Sequence, residues 1–392
     1  MKFNFVTALR RATRLTRAIK PGSTTKTLQR AIRAAMVKSV ADSFAALAPA
    51  KTPRKPTVKA KQSPAAGASP RKDRRLGVVV SQLRAAKASM PGAFPGAGAS
   101  SLSKPPAIRK TARYLDRTHA GAAGSRDFKL YLPADTPGGP KGLILMLHGC
   151  TQDPIDFATG TNMNAIAQKH GLAVAYPAQT RSDNASSCWN WFSPSNQARG
   201  KGEPAIIASL TRGLMEEFGL GRGDVFVAGL SAGGAMAVIL ADTYPDVFSA
   251  AGIHSGLARG TASSLLSAIS AMRSGGTPAP AATTRGRAGQ GVRRIIFHGD
   301  ADGTVHPANA QQIVVAAVGK REPAQVSPLS AAGRDYVRSD YRAKDGSIDV
   351  ELWQIKGTGH AWSGGKSGGS FTDAKGPDAS SEMVRFFLTG RA

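Results

Sequence analysis

Along residues 111–392, short unbroken apolar runs alternate with stretches of helical composition. The runs are Gly142-Leu143-Ile144-Leu145-Met146-Leu147, Leu172-Ala173-Val174-Ala175-Tyr176-Pro177 and Val225-Phe226-Val227-Ala228, with further strands predicted at Ala250-Ala251-Gly252-Ile253-His254 and Arg293-Arg294-Ile295-Ile296-Phe297-His298. Apolar runs this short and continuous predict strands covered on both faces, as parallel strands are. Residues 128–132 alternate and predict a half-buried strand, and residues 348–355 predict the last strand. Helices are predicted over 162–169, 205–218 and 380–388, with Gly219 ending the second. Strands alternating with helices predict an α/β protein with a mostly parallel central sheet and helices on both faces. Residues 257–292 are small, Gly/Ala/Pro-rich and basic, and predict a lid or surface excursion.

The pattern upstream is different. Leu28, Ile32, Met36, Val40, Phe44 and Leu47 recur at spacings of three and four, predicting a basic amphipathic helical segment over 1–50. Residues 51–110 are rich in Lys, Arg, Pro, Ala and Ser and have little to bury, predicting a disordered basic linker. The compact α/β domain is therefore expected over 111–392.

Charge sharpens this division. The chain has 392 residues and a formal net charge of +27. Residues 1–110 hold 24 Lys/Arg against two acids, Asp42 and Asp73, leaving a net of only +5 for the remainder. The basic segment can lie on an anionic surface or a polymer granule, or pack on the domain. A basic tract also attracts phosphates, but this one lacks interleaved aromatics or a base-reading motif, so no specific nucleic-acid partner is expected. No apolar run approaches the roughly 18–20 residues that span a bilayer. Near Met1 the apolar residues precede Arg10-Arg11, the reverse of a secretory signal, so no signal peptide is read. Two cysteines, Cys150 and Cys188, allow one bridge or none.

Chemistry concentrates in the domain. Gly229-Leu230-Ser231-Ala232-Gly233 follows a predicted strand and precedes the helix-forming run 235–240. A G-x-S-x-G in that setting predicts a nucleophile elbow, whose glycines permit a tight turn. A serine nucleophile needs a base and an orienting acid, in the order serine, acid, histidine. Asp302 is read as the acid, on the loop His298-Gly299-Asp300-Ala301-Asp302, with Asp300 capping or bracing that loop. His360, in the Gly-flanked loop after the last strand, is read as the base, and His254 and His306 as structural. The amides of Ala232 and of Cys150, in His148-Gly149-Cys150-Thr151-Gln152, are the candidate oxyanion donors. Trp189, Trp191 and Trp362 fit either an apolar substrate site or ordinary core packing. Neither metal nor cofactor is required.

These motifs, with Cys188-Trp189-Asn190-Trp191 and Gly359-His360-Ala361-Trp362, occur in an order that resembles the polyhydroxybutyrate depolymerase family of esterases, relatives of feruloyl and acetylxylan esterases. The resemblance spans roughly residues 115–390 and implies an α/β-hydrolase fold acting on polyester or small ester substrates. It implies Ser231, Asp302 and His360 as the triad, with Cys150 and Ala232 as the oxyanion hole and Cys150 paired with Cys188 beside the site. It also implies an extracellular protein, with a cytoplasmic location as the alternative because no signal is legible.

Overall fold

Among the described residues the strands of the main sheet, in chain order, are β1 Arg113–Gly121, β2 Gly124–Leu132, β3 Leu143–Leu147, β4 Ala173–Pro177, β5 Val225–Leu230, β6 Ala250–His254, β7 Arg293–Gly299, β8 Gln325–Ala331, β9 Arg334–Arg342 and β10 Ile348–Ile355. They form one sheet in the order β1-β2-β4-β3-β5-β6-β7-β10-β9-β8. The six central strands, β4 to β10 in that order, are mutually parallel, and antiparallel pairs close both margins. The computed structural model describes residues 105–277 and 291–389, all within the unit Leu83–Ala392. The segment expected at 1–50, and the linker at 51–110 except for residues 105–110, lie outside the described residues.

Among the described residues, seven α-helices cover the sheet: α1 Pro154–Thr161, α2 Met163–His170, α3 Gly202–Phe218, α4 Ala232–Thr243, α5 Leu265–Ser274, α6 Ala308–Val318 and α7 Ala379–Leu388. The pleat of each central strand divides its side chains between two apolar layers. Leu143, Leu145 and Leu147 join Val225 and Val227 beneath α3, α4 and α6. Ile144, Met146, Phe226 and Ala228 face the opposite layer with α1, α2 and α7. This double burial is why β3, β4 and β5 carry no charged residue. Among the described residues, no helix is long and apolar enough to cross a membrane.

The structure adds elements to the predicted set. β1 and β8 are the edge strands, with largely exposed side chains, and β9, between β10 and β8, is mostly polar in sequence, so they have no apolar pattern to read. α1 starts at the N-cap Asp153, whose side chain accepts the amides of Ile155 and Asp156, with proline in the first turn. Within the excursion 257–292, residues 265–274 form α5, opened by a reciprocal Ser264–Ser267 capping box.

Candidate active site

β5 runs into Ser231, which has φ 58° and ψ −118°, and α4 begins at the next residue. That is strained for a residue with a Cβ, and the neighbours show how it is held. The Ser231 amide donates to the His254 carbonyl at 2.9 Å, and the Ser231 carbonyl accepts from Ala235 N at 2.9 Å. A Cβ on Gly229 would come within 2.8 Å of Leu147 O, and one on Gly233 within 2.6 Å of His148 O. The two glycines of the motif are therefore steric requirements, because backbone from the neighbouring strand occupies the space a side chain would need. Ser231 itself is 7% exposed.

The loop after β3 lies against this elbow. A Cβ on Gly149 would stand 3.7 Å from Ser231 Cβ. Each end of the loop has a partner. His148, buried, donates Nδ1–H to Gly149 O at 2.8 Å, and its Nε2 accepts the Gln179 amide at 3.1 Å. Burial lowers its pKa, opposed in part by the Gly149 carbonyl, so the ring stays neutral in this arrangement. Trp189 Nε1 donates to His148 O at 3.1 Å. Gln152 accepts the Gly149 amide through Oε1 at 2.9 Å and donates through Nε2 to Asp156 and to Ser370 O. Cys150 and Cys188 are joined by a disulfide that closes a 38-residue span. Opening it, by exchanging both cysteines for serine, is expected to cost about 3–4 kcal/mol on the loop-closure argument, read as a lower melting temperature.

The acid and base loops follow the parallel strands β7 and β10. His360 Nδ1 donates to Asp302 Oδ2 at 2.8 Å, while Asp302 Oδ1 accepts the amides of Thr304 and Val305. The Asp302 carboxylate is fully buried, whereas the His360 side chain is 10% exposed. Burial favours the neutral acid, but the hydrogen bonds from His298 and His360, the His360 charge and the Val305 amide outweigh it and hold Asp302 well below the usual carboxylate range. Asp300 turns aside and accepts the Gly357 amide at 2.6 Å, bracing the two loops as its position suggested. His306 is exposed and accepts the Ala308 amide.

His254 connects the halves of the site. Its carbonyl holds the Ser231 amide, and its Nε2 accepts the amide of Ser363, three residues beyond His360, at 3.1 Å. The ring is completely buried and stacks on Phe297 and Trp362. Burial, with the nearby His298 and His360 and against the pull of Asp302, lowers its pKa to about 3. Because that is below the ordinary value of 6.5, the unfolded chain takes up the proton first. The stabilisation is whole above pH 6.5 and erodes as the pH falls toward 3, at up to about 1.4 kcal/mol per pH unit. Urea midpoints measured from pH 7 down to pH 4 are expected to decline, and to decline less steeply in His254→Phe.

The three tryptophans pack in the core, the second of the two readings that the sequence left open. Trp189, Trp191 and Trp362 are 0%, 5% and 1% exposed and belong to the two apolar layers. Trp362 donates Nε1–H to Ser380 Oγ and packs edge-on against Phe157. An indole can be buried at low cost when its N–H finds such a partner. Sequence reasoning passed over Gln152, which it quoted without a role, and Phe371, a lone aromatic in a Gly/Ser-rich tract.

Sheet order, the elbow after β5 and the carboxylate–imidazole pair after β7 and β10 place the chain in the α/β-hydrolase class. Within that class it belongs to the esterase PHB depolymerase family, whose sequence model matches residues 126–321. Poly(3-hydroxyalkanoate) depolymerase C of Paucimonas lemoignei is 32% identical over 58% of this chain and 56% of its own length. Probable acetylxylan esterase A of Aspergillus clavatus is 31% identical over 47% of this chain and 62% of its own. The chain thus spans little more than half the length of these curated relatives. The solved acetyl xylan esterase of Aspergillus awamori superposes with a TM-score of 0.53 at 22% identity, covering 64% of this chain and 93% of that one, a likeness of fold.

Proposed function

We propose that the protein is a serine esterase that cleaves short-chain polyhydroxyalkanoates or their oligomers through an acyl-enzyme. The observation that carries this reading is the 2.8 Å bond from His360 Nδ1 to the buried Asp302 carboxylate, at the strand ends where Ser231 occupies its strained turn. A carboxylate can only accept, so Nδ1 carries the proton and Nε2 is left as the base. Nε2 takes the Ser231 hydroxyl proton as Oγ attacks the ester carbonyl. The amides of Cys150 and Ala232 stabilise the resulting oxyanion; Ala232 opens α4, and the first amides of a helix have no acceptor within it. The imidazolium then protonates the departing alcohol as its C–O bond breaks. Water, activated by the same nitrogen, releases the acid and restores Ser231.

The acetylxylan esterase relatives support a second reading, hydrolysis of plant-wall acetyl or feruloyl esters. A panel of 3-hydroxybutyrate oligomers, acetylated xylan and feruloyl esters separates the two. The polyester reading expects kcat/KM to be highest for the oligomers, and a preference for acetylated xylan or feruloyl esters would overturn it. The Cys150–Cys188 bridge supports residence in an oxidising compartment.

A further inference from the structure

Of the eight non-glycine residues with positive φ among the described residues, five flank the site: Thr151, Ser187, Ser231, Ser255 and Phe371. The first four are small or polar. Phe371, at φ 51°, is bulky, and a large side chain adopts that conformation only when its surroundings impose it. Those surroundings are bonds to the backbone on either side. The Ser370 amide and hydroxyl donate to Asp156, and Gln152 donates to Ser370 O, tying this residue to the loop that carries Cys150. The Phe371 carbonyl accepts the Trp362 amide at 2.7 Å. The ring is only partly covered by the apolar layer beneath it, and it meets the His360 imidazole edge to face, with centroids 6.3 Å apart.

Ordinary core packing does not account for this placement. A phenyl ring that served only to fill space would be buried, as Phe157, Phe226 and Phe387 are. Here a strained backbone holds the ring half-open beside the base. The base must lie next to the leaving oxygen in order to protonate it, so a ring touching the base borders the carbon chain attached to that oxygen. We propose that Phe371 is a specificity-determining residue that forms the apolar wall for the alcohol portion of the ester. In a polyester that portion is the next hydroxyacyl unit.

This inference rests on the esterase reading above, and the experiment keeps the two apart. Ethyl, butyl and hexyl acetate vary the alcohol, whereas ethyl acetate, butyrate and hexanoate vary the acyl group. Wild type is expected to favour butyl over ethyl acetate by about tenfold in kcat/KM, as two additional buried methylenes would give. Phe371→Ala should abolish that preference mainly through KM and leave the acyl-length profile unchanged, and Phe371→Leu should restore most of it. A melting temperature for each variant checks that the fold is retained. An equal loss across all five esters would mean that Phe371 only props His360, and a change confined to the acyl series would place the wall on the other side; either overturns the proposal. If wild type turns over none of the esters, the esterase reading itself falls and this inference falls with it.

Discussion

Replacing Ser231 with alanine is expected to abolish hydrolysis of p-nitrophenyl butyrate, with kcat falling by on the order of 10⁵-fold or more. The size of the effect follows from the division of labour in the site. In the proposed mechanism His360 and the backbone amides polarise and position the ester, but without the Ser231 oxygen no acyl-enzyme can form and hydrolysis must rely on direct attack by water. The substitution is also a clean one. Ser231 is 7% exposed, its backbone bonds to His254 and Ala235 do not involve the side chain, and alanine adds no atom to the turn. The melting temperature is therefore expected to stay within a few degrees of wild type. Turnover retained in a folded Ser231→Ala protein would remove this residue from the role proposed for it.

Gly233→Ala is expected to have the largest effect on stability, more than about 3 kcal/mol. One added methyl would collide with the carbonyls of Leu147 and His148. Both belong to the rigid end of β3 and to the loop that presents Cys150, so neither can retreat without carrying the elbow's neighbour away from Ser231. Denaturant unfolding of Gly233→Ala beside a control such as Gly213→Ala, whose Cβ would meet nothing within 4 Å, gives the measurement. Equal midpoints would mean that β3 can shift, and that the steric account of the motif is wrong.

These two positions also show what the sequence makes legible. A G-x-S-x-G after an apolar run can be read because the motif is contiguous, even though the backbone its glycines make room for, at Leu147 and His148, belongs to another strand and its loop. The strands β3, β4 and β5 can be read because burial on both faces leaves them no charged residue. The edge strands β1 and β8 pair antiparallel on one side only and expose more than half of their positions, so their apolar content is too thin to signal a strand. α1 had a signal, an Asp153-Pro154 start, which its small, mixed composition obscured.

The site divides along the same line. Asp302 and His360 could be chosen because each follows a legible strand, and the structure brings their side chains into contact. The tryptophans could not be assigned because composition cannot say whether an indole N–H will find a buried acceptor, as Trp189 finds the His148 carbonyl. Gln152 and Phe371 depend on partners more than two hundred residues away or on a backbone conformation, and no local pattern records either.

The hydrogen bond from Gln152 to Ser370 spans 218 positions. During vectorial synthesis the elbow, the disulfide partners and most of the sheet emerge from the ribosome well before Ser370 does. The loop beside the serine thus acquires its brace only when almost the entire domain has been made. A nascent or prematurely terminated chain would hold its nucleophile in an unfinished pocket, so competence for hydrolysis should arrive late and abruptly rather than grow with chain length.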